Sequence, residues 1–293
     1  MNSKQIAFAD FDETQYLRLN LDVSQAVKQG NFESGWQHYL HFGIDEDRLG
    51  VAKEYKSVEG LSGKTVSLAI PPADLRARVH GLEELSGFLR IGKIVAQNLE
   101  STIRSLDIEL NRSSRVLDFG CGCGRIINWF HDLYPNTNFY GTDIDPEAIT
   151  WCRDNLSDKG LFSVNKPMSP LSYTNEFFDL IYSISIFTHL PEQMQFAWLK
   201  ELKKVCKKGA YLLLTVHGEH LFPAKLESAK PEFEKRGFYY FIENQTDGLP
   251  EFYQTSFHLE SYIYDRWSDF FEIEKIIPQG IAHHQDLVIC KNV

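Results

Sequence analysis

The sequence predicts an α/β fold: a seven-stranded, mostly parallel sheet with helices on both faces, preceded by a small helical module. Three observations predict it. From Ser114 onward, short apolar runs alternate with helical stretches, as parallel sheets require. The first run, 115–119, carries Asp118 near its end and leads through glycines at 120, 122 and 124 into a helix. A second run, 138–143, ends in another acid about twenty residues beyond those glycines, at the place where doubly wound sheets meet a ligand's sugar.

At 293 residues the chain is long enough for one α/β domain with added elements. Its formal charge of −10 opposes capture of nucleic acid by a basic surface, so no nucleic-acid partner is expected. No apolar run nears the ~18 residues of a membrane span. Residues 1–6 lack the apolar core of a signal peptide, and the expected location is the cytoplasm. The cysteines are scattered. Only Cys121 and Cys123 stand close, at a spacing that suits neither a disulfide framework nor zinc, so no metal is expected.

Residues 11–48 read as two short helices. Asp22 or Ser24 starts one that Gly30 ends, and Ser34 starts another that Gly43 ends. Tyr16, Leu17, Val23, Val27, Trp36 and Tyr39 give them apolar surface to pack. The string Tyr16-Leu-Arg-Leu-Asn-Leu-Asp-Val23, with Ala26-Val-Lys-Gln-Gly30 and His38-Tyr-Leu-His-Phe-Gly43, resembles a short helical module that recurs in bacterial proteins of glycan and cell-surface biosynthesis. Residues 1–50 are therefore expected to be an accessory unit, with protein docking as its role.

Residues 51–65 are polar, carry Gly60 and Gly63, and read as a linker. Residues 66–113 follow as a lid and a helix. Pro71 and Pro72 oppose regular helix at that point. An extended stretch after them would set Arg76, Arg78 and His80 on one face. Two readings of this trio stay open: a clamp on a ligand carboxylate, or a solvated, salt-bridged face. Within 82–106, apolar residues at Leu85, Phe88, Ile91, Val95, Leu99 and Ile103 have the spacing of an amphipathic helix packed on the sheet.

Val116 and Leu117 suit a buried parallel strand, and Gly120, Gly122 and Gly124 permit positive φ where a ligand approaches the backbone. The spacing rules out two phosphate sites. A dinucleotide fingerprint needs G-x-G-x-x-G, but Arg125 holds the next place, and no Gly-Lys-Ser/Thr of a P-loop follows. The remaining pattern, D-x-G-x-G-x-G from Asp118 to Gly124, resembles motif I of the class I S-adenosylmethionine-dependent methyltransferases, which have a Rossmann-like fold. The resemblance implies S-adenosylmethionine as cofactor, with Asp118 meeting its methionyl ammonium. It implies further that Gly120, Cys121, Gly122 and Gly124 pass beneath the ribose and methionine. A segment before the core often closes over the cofactor in that family, which favours a binding role for Arg76, Arg78 and His80.

A first core helix is expected over 125–133. In the next, Asp145 caps and Pro146 takes the first position, which leaves Asp143 to accept from the ribose hydroxyls. By resemblance, Ile144 lies against the adenine. A third strand covers 161–164; where the family often places Asp just after it, this chain has Asn165. The fourth strand, 177–185, contains a Phe-Asp-Leu-Ile string similar to the family's motif before the site. Ligands in such sheets bind beyond the strand C-termini, so Ser183 is expected beside the cofactor and Ser185 beside the acceptor. Asn-Pro-Pro-Tyr, the signature of amino-group methylation on DNA bases or glutamine, is absent.

A helix over 193–205 and a turn at 207–209 precede the fifth strand, 210–216. His189 and His217 stand just past strand tips, where a neutral imidazole would accept an acceptor hydroxyl's proton. Helix capping or backbone bonding is the other reading of each. Residues 218–257 form an insertion rich in Phe and Tyr, expected to cover the substrate. There Glu243, Asn244 and Gln245 among aromatic faces suit a sugar or a planar acceptor. Residues 258–267 read as a last helix and 270–277 with 286–290 as the terminal strand pair, which the resemblance implies includes an antiparallel seventh strand. Residues 283–286 read as a turn rather than a metal site.

Together these features predict, for the core 114–293, methyl transfer from S-adenosylmethionine to a small-molecule acceptor, a sugar or surface-glycan precursor in first place. The alternatives are a protein or peptide acceptor, or a non-catalytic binding protein of the same fold. An NAD-dependent oxidoreductase is opposed by the glycine spacing.

Overall fold

Helix α1 (Glu13–Leu19) starts at Asp12, whose side chain accepts from Gln15 N. It turns at Asn20 into α2 (Leu21–Lys28), and α3 (Gly35–His38) starts at Ser34, which accepts from Gln37 N and continues as a wider turn to Gly43. Three helices thus replace the two expected, because Asp12 supplies a cap upstream of the anticipated starts. Phe11, Tyr16, Val23 and Tyr39 form a small core of their own. The computed structural model describes residues 6–46, 48, 51, 53–168, 170–242 and 250–293. Expectations for residues 1–5, and for Glu243, Asn244 and Gln245, lie outside these.

The expected linker is instead half of a hairpin. Strand β1 (Tyr55–Glu59) pairs antiparallel with β2 (Thr65–Ala69), and Gly63 takes φ +78° in the connecting turn. The segment with Arg76, Arg78 and His80 is also corrected: it is a helix, α4 (Ala73–His80), not extended chain. Pro71 and Pro72 lie before its first turn, where a missing N–H costs nothing, and the Ala- and Arg-rich stretch after them favours helix. Gly81 ends it at φ +78°. Helix α5 (Leu85–Ser105) follows and buries Phe88, Val95, Leu99 and Ile103.

The core then alternates: β3 (Arg115–Phe119), α6 (Arg125–Leu133), β4 (Asn138–Asp143), α7 (Pro146–Asn155), β5 (Leu161–Val164), β6 (Phe178–Ser183), α8 (Glu192–Val205) and β7 (Cys206–Val216). The turn expected at 207–209 lies within β7, which pairs Cys206 with Phe178 and is irregular where Gly209 takes φ +78°. After α9 (Lys230–Arg236), β8 (Phe238–Phe241) pairs with β9 (Thr255–His258), so His258 ends a strand instead of opening the final helix. That helix is α10 (Glu260–Arg266), and β10 (Glu272–Ile281) and β11 (Gln285–Lys291) close the chain.

The main sheet has seven strands in the order β10-β11-β7-β6-β3-β4-β5. Strands β7, β6, β3, β4 and β5 run parallel, and β11 is antiparallel to both of its neighbours. Successive side chains face opposite sides of a sheet, so neighbouring residues enter different cores. Val116, Leu180, Leu213 and Ile289 pack with α5, α6 and α7, whereas Leu117, Ile181, Leu212 and Val288 pack with α8 and α10. Among the described residues, no helix is long and apolar enough to cross a membrane.

Candidate active site at the strand C-termini

The bend after β3 is shaped by positive φ at Gly120 (+79°), Gly122 (+52°) and Gly124 (+68°). Gly120 N and Cys121 N both donate to Thr142 O, and Gly122 N donates to Asp143 Oδ2 at 2.7 Å. The loop is therefore hung on β4. Beyond it opens a cavity of about 330 Å³ with Asp118, Gly120, Cys121, Gly122, Asp143 and Ile144 in its wall. A side chain at Gly122 would come within 2.5 Å of Val79 on α4, and one at Gly120 would collide with Ile186, so both positions exclude a Cβ.

Asp118 is 2 % exposed, and its Oδ2 has no hydrogen-bond partner among the described residues. Burial, reinforced by the Asp143 charge, pushes its carboxyl up to about 8. Asp143 accepts from Gly122 N and, through Oδ1, from Asp145 N at 2.9 Å; burial raises it, opposed by these backbone N–H groups. Asp145 caps α7, accepting from Glu147 N and Ala148 N. Asn165 also lines the cavity, with its Oδ1 accepting from Thr142 Oγ1 at 2.7 Å.

Several expected residues stand elsewhere. Gly124 faces away from the cavity, and a Cβ there would meet Leu156 at 2.5 Å; its role is close packing of the loop on α7 and β5. Ser183 is fully buried, with its hydroxyl spent on Phe119 O at 2.8 Å. Arg76 bonds to the carbonyls of Glu83 and Pro71, and neither it nor His80 lines the cavity, because helical geometry turns them away from Arg78. Only Arg78 of the trio reaches the mouth, pairing with Asp145 Oδ2 and Glu147 Oε2 at 2.8 Å each.

Ser185 lies in the wall at φ +62°, an unfavourable value for serine. Three bonds hold it: its N donates to Thr215 Oγ1, its O accepts from Tyr253 Oη, and its Oγ accepts from Gln285 Nε2. His189 and His217 are neighbours, with ring centroids 5.8 Å apart, but neither lines the cavity. Tyr253 of the insertion does, and its ring stacks on His189 at 4.4 Å. His189 Nδ1 faces Gln254 O at 2.5 Å, so that nitrogen carries the proton and Nε2 is the basic atom. Burial lowers His189, and burial with the neighbouring histidines lowers His217 to about 3.

Sequence reasoning missed Leu75 and Val79 as the roof, because α4 was not foreseen, and missed Gln285 behind Ser185. It also missed Arg125, whose only signal is its place directly after the third glycine.

A glycine loop tied to an acid-tipped second strand, an unpaired buried acid and this strand order together define a class I methyltransferase fold. Comparison with known proteins agrees. The family described as "Methyltransferase domain" matches residues 116–209. Phosphoethanolamine N-methyltransferase of Plasmodium falciparum is 30 % identical over 125 residues, 42 % of this chain and 46 % of that protein. Fatty-acid O-methyltransferase of Mycolicibacterium smegmatis is 27 % identical over 119 residues, 41 % of this chain and 42 % of that protein. The chain thus spans under half the length of these curated relatives. The structure of magnesium protoporphyrin IX methyltransferase from Synechocystis with bound S-adenosylhomocysteine superposes with TM-score 0.50 at 18 % identity, over 75 % of this chain and 94 % of that one. Residues 116–209 thus match a methyltransferase-domain model, in a chain whose fold is that of S-adenosylmethionine-dependent methyltransferase structures. The residues present fit S-adenosylmethionine: Asp118 Oδ2, without a hydrogen-bond partner among the described residues, offers a seat for an ammonium, and the backbone of Gly120 and Gly122 lines the same cavity.

Proposed function

We propose that this protein transfers a methyl group from S-adenosylmethionine to a nucleophilic atom of a small-molecule acceptor. The observation that carries this is Asp118, a buried carboxyl whose Oδ2 has no hydrogen-bond partner among the described residues, in the wall of a cavity lined by glycine backbone. The bound cofactor supplies an electrophilic methyl on a sulfonium; the protein's part is to orient the acceptor, exclude water and take up a proton. Asp143 suits the ribose hydroxyls, and Ile144 the adenine face. Ser185 and Tyr253 mark the acceptor end, with His189 Nε2 as the base for a hydroxyl acceptor once Tyr253 swings aside.

A small acceptor is supported by the two curated relatives, whose names specify phosphoethanolamine and a fatty acid. A sugar or surface-glycan precursor is favoured by the likeness of the first 50 residues to a glycan-biosynthesis module, which would serve as a docking unit in the cytoplasm. Titration calorimetry with S-adenosylmethionine, S-adenosylhomocysteine and NAD tests the cofactor. Heat from NAD alone would sink the proposal. Formation of S-adenosylhomocysteine with a panel of sugars, amino alcohol phosphates and fatty acids tests turnover, and binding without turnover on any of them would leave a non-catalytic cofactor-fold protein.

A further inference from the structure

Helix α4 roofs the cavity through Leu75, Arg78 and Val79, yet Leu75 is the only residue of this helix that is buried. A short helix with one buried anchor, set between Pro72 and Gly81, has little apolar packing to keep it closed. Charged contacts supply the rest of the hold. Asp74 and Arg78 pair along the helix at 3.5 Å, and Arg78 reaches across to Asp145 Oδ2 and Glu147 Oε2 at the start of α7. The other oxygen of Asp74 is ion-paired with Arg18, which comes from α1 of the N-terminal module and also stands 3.9 Å from Glu147. Signs alternate around this ring, from Arg18 to Asp74 to Arg78 to Glu147 and back, so each cation lies between two acids.

The module can hold α4 because it is itself fixed to the core. Thr14 Oγ1 donates to Asp154 Oδ2 at 2.7 Å, and Lys53 Nζ donates to Asp154 O at 2.8 Å. Thr14 thus meets the last turn of α7, while Arg18, one turn further along α1, pairs with its first turn, so the two helices lie antiparallel. Helix α7 buries Ala148, Ile149, Trp151 and Cys152 in the main core and is the rigid partner. Phe11, Tyr16, Val23 and Tyr39 make the module a packed body. Anchored on α7 and ion-paired to α4, it bridges the fixed wall and the roof.

We propose that the N-terminal module is a strap that holds α4 over the cavity through Arg18, and so sets how fast S-adenosylmethionine enters and S-adenosylhomocysteine leaves. This deepens the functional reading above and rests on it, since it concerns the same cavity and the same cofactor. Neither Arg18 nor Asp74 lines the cavity. Their pair therefore adds equally to closure over a filled and an empty site, and changes the rate of opening without favouring either state.

The test follows S-adenosylhomocysteine entering and leaving the full chain by stopped flow. Arg18→Ala and Asp74→Asn should each raise both rates about two- to fivefold, the range for partly exposed ion pairs. The dissociation constant from calorimetry should stay within about twofold of wild type. The double variant should be no faster than Asp74→Asn alone, because the two substitutions break one shared contact. Arg48→Ala, which removes ion pairs to Asp22 and Glu46 inside the module, should leave both rates within about twofold of wild type. Unchanged rates in Arg18→Ala, a faster exit with unchanged entry, or an Arg48→Ala variant as fast as Arg18→Ala would overturn the strap and leave the cofactor reading standing. A wild type that does not bind S-adenosylhomocysteine would overturn both.

Discussion

Asp143 Oδ2 accepts a hydrogen bond from Gly122 N at 2.7 Å, so the acid that ends the second core strand holds the loop that follows the first. Its other oxygen holds Asp145 N at 2.9 Å. Asp143→Ala would strand both N–H groups in a largely buried setting, at ~1–3 kcal/mol each. Loss of about 2 kcal/mol or more in urea unfolding, together with at least tenfold weaker S-adenosylhomocysteine binding, is expected. A variant with full stability and full affinity would show that the loop stands by itself.

Asp118 gives a pH dependence with a definite sign. Its folded pKa, raised by burial to about 8, lies above the ~3.9 of an unfolded chain. The folded state therefore keeps a proton the unfolded chain has released. The stability this adds is complete below the unfolded value and is lost as pH rises through about 8. Urea unfolding between pH 5 and 9 should show the decline, and Asp118→Asn, which mimics the protonated acid, should flatten it. An incoming ammonium favours the charged carboxylate, so binding at pH 7 should also release a proton, seen as a buffer-dependent heat that Asp118→Asn removes.

The buried histidines act in the opposite range. Burial lowers His217 and His258 to about 3, below the ~6.5 of the unfolded chain. Their contribution is present above 6.5 and is lost as pH falls toward 3. Proton uptake on acid unfolding should drop by about one in His258→Gln, which can keep the bond to Gln195 Oε1 that His258 Nε2 makes at 2.9 Å. An unchanged count would refute the assignment.

Arg78 fastens the roof. Its bonds to Asp145 and Glu147 are partly exposed, a class worth ~0.2–1 kcal/mol per pair, and they weaken with salt. Stopped-flow measurement should find S-adenosylhomocysteine leaving Arg78→Ala roughly two- to fivefold faster, with the wild type approaching that rate at high ionic strength. A salt-independent wild-type rate would count against a latch.

Gly124 separates packing from binding. Alanine there meets both the penalty of φ +68° and Leu156 at 2.5 Å. Stability should fall by ~1–3 kcal/mol, while the folded fraction keeps its S-adenosylhomocysteine affinity within about twofold.

The parts of the fold legible in the sequence were those encoded locally. The glycines after β3, the cap at Asp145 before Pro146 and the periodicity of α5 each carry their own signal, and the glycine-lined edge of the cavity followed from them. Helix α4 was hidden because two prolines look like a barrier when read as interior residues and like a start signal when they precede the first turn. The position of His189 and His217 was hidden for a different reason. The ring that covers His189 at the cavity wall is Tyr253, a residue more than thirty positions beyond His217 whose placement depends on how β8 and β9 pair. Arg125 has a fixed place after the third glycine, but the burial that leaves its Nε and Nη1 without a hydrogen bond among the described residues is a property of the packed state alone.

The hairpin β8–β9 is stitched to the chain that leaves β6. Gln254 N donates to His189 O, Ser256 N to Thr188 O, and Ser256 Oγ to Phe187 O, with Gln195 Nε2 bridging Phe187 O, Leu190 O and Ser256 Oγ. Hairpin and loop are thereby one mechanical body. Grafting this insertion onto a related core would transplant a new acceptor preference only if residues 186–190 and Gln195 travelled with it.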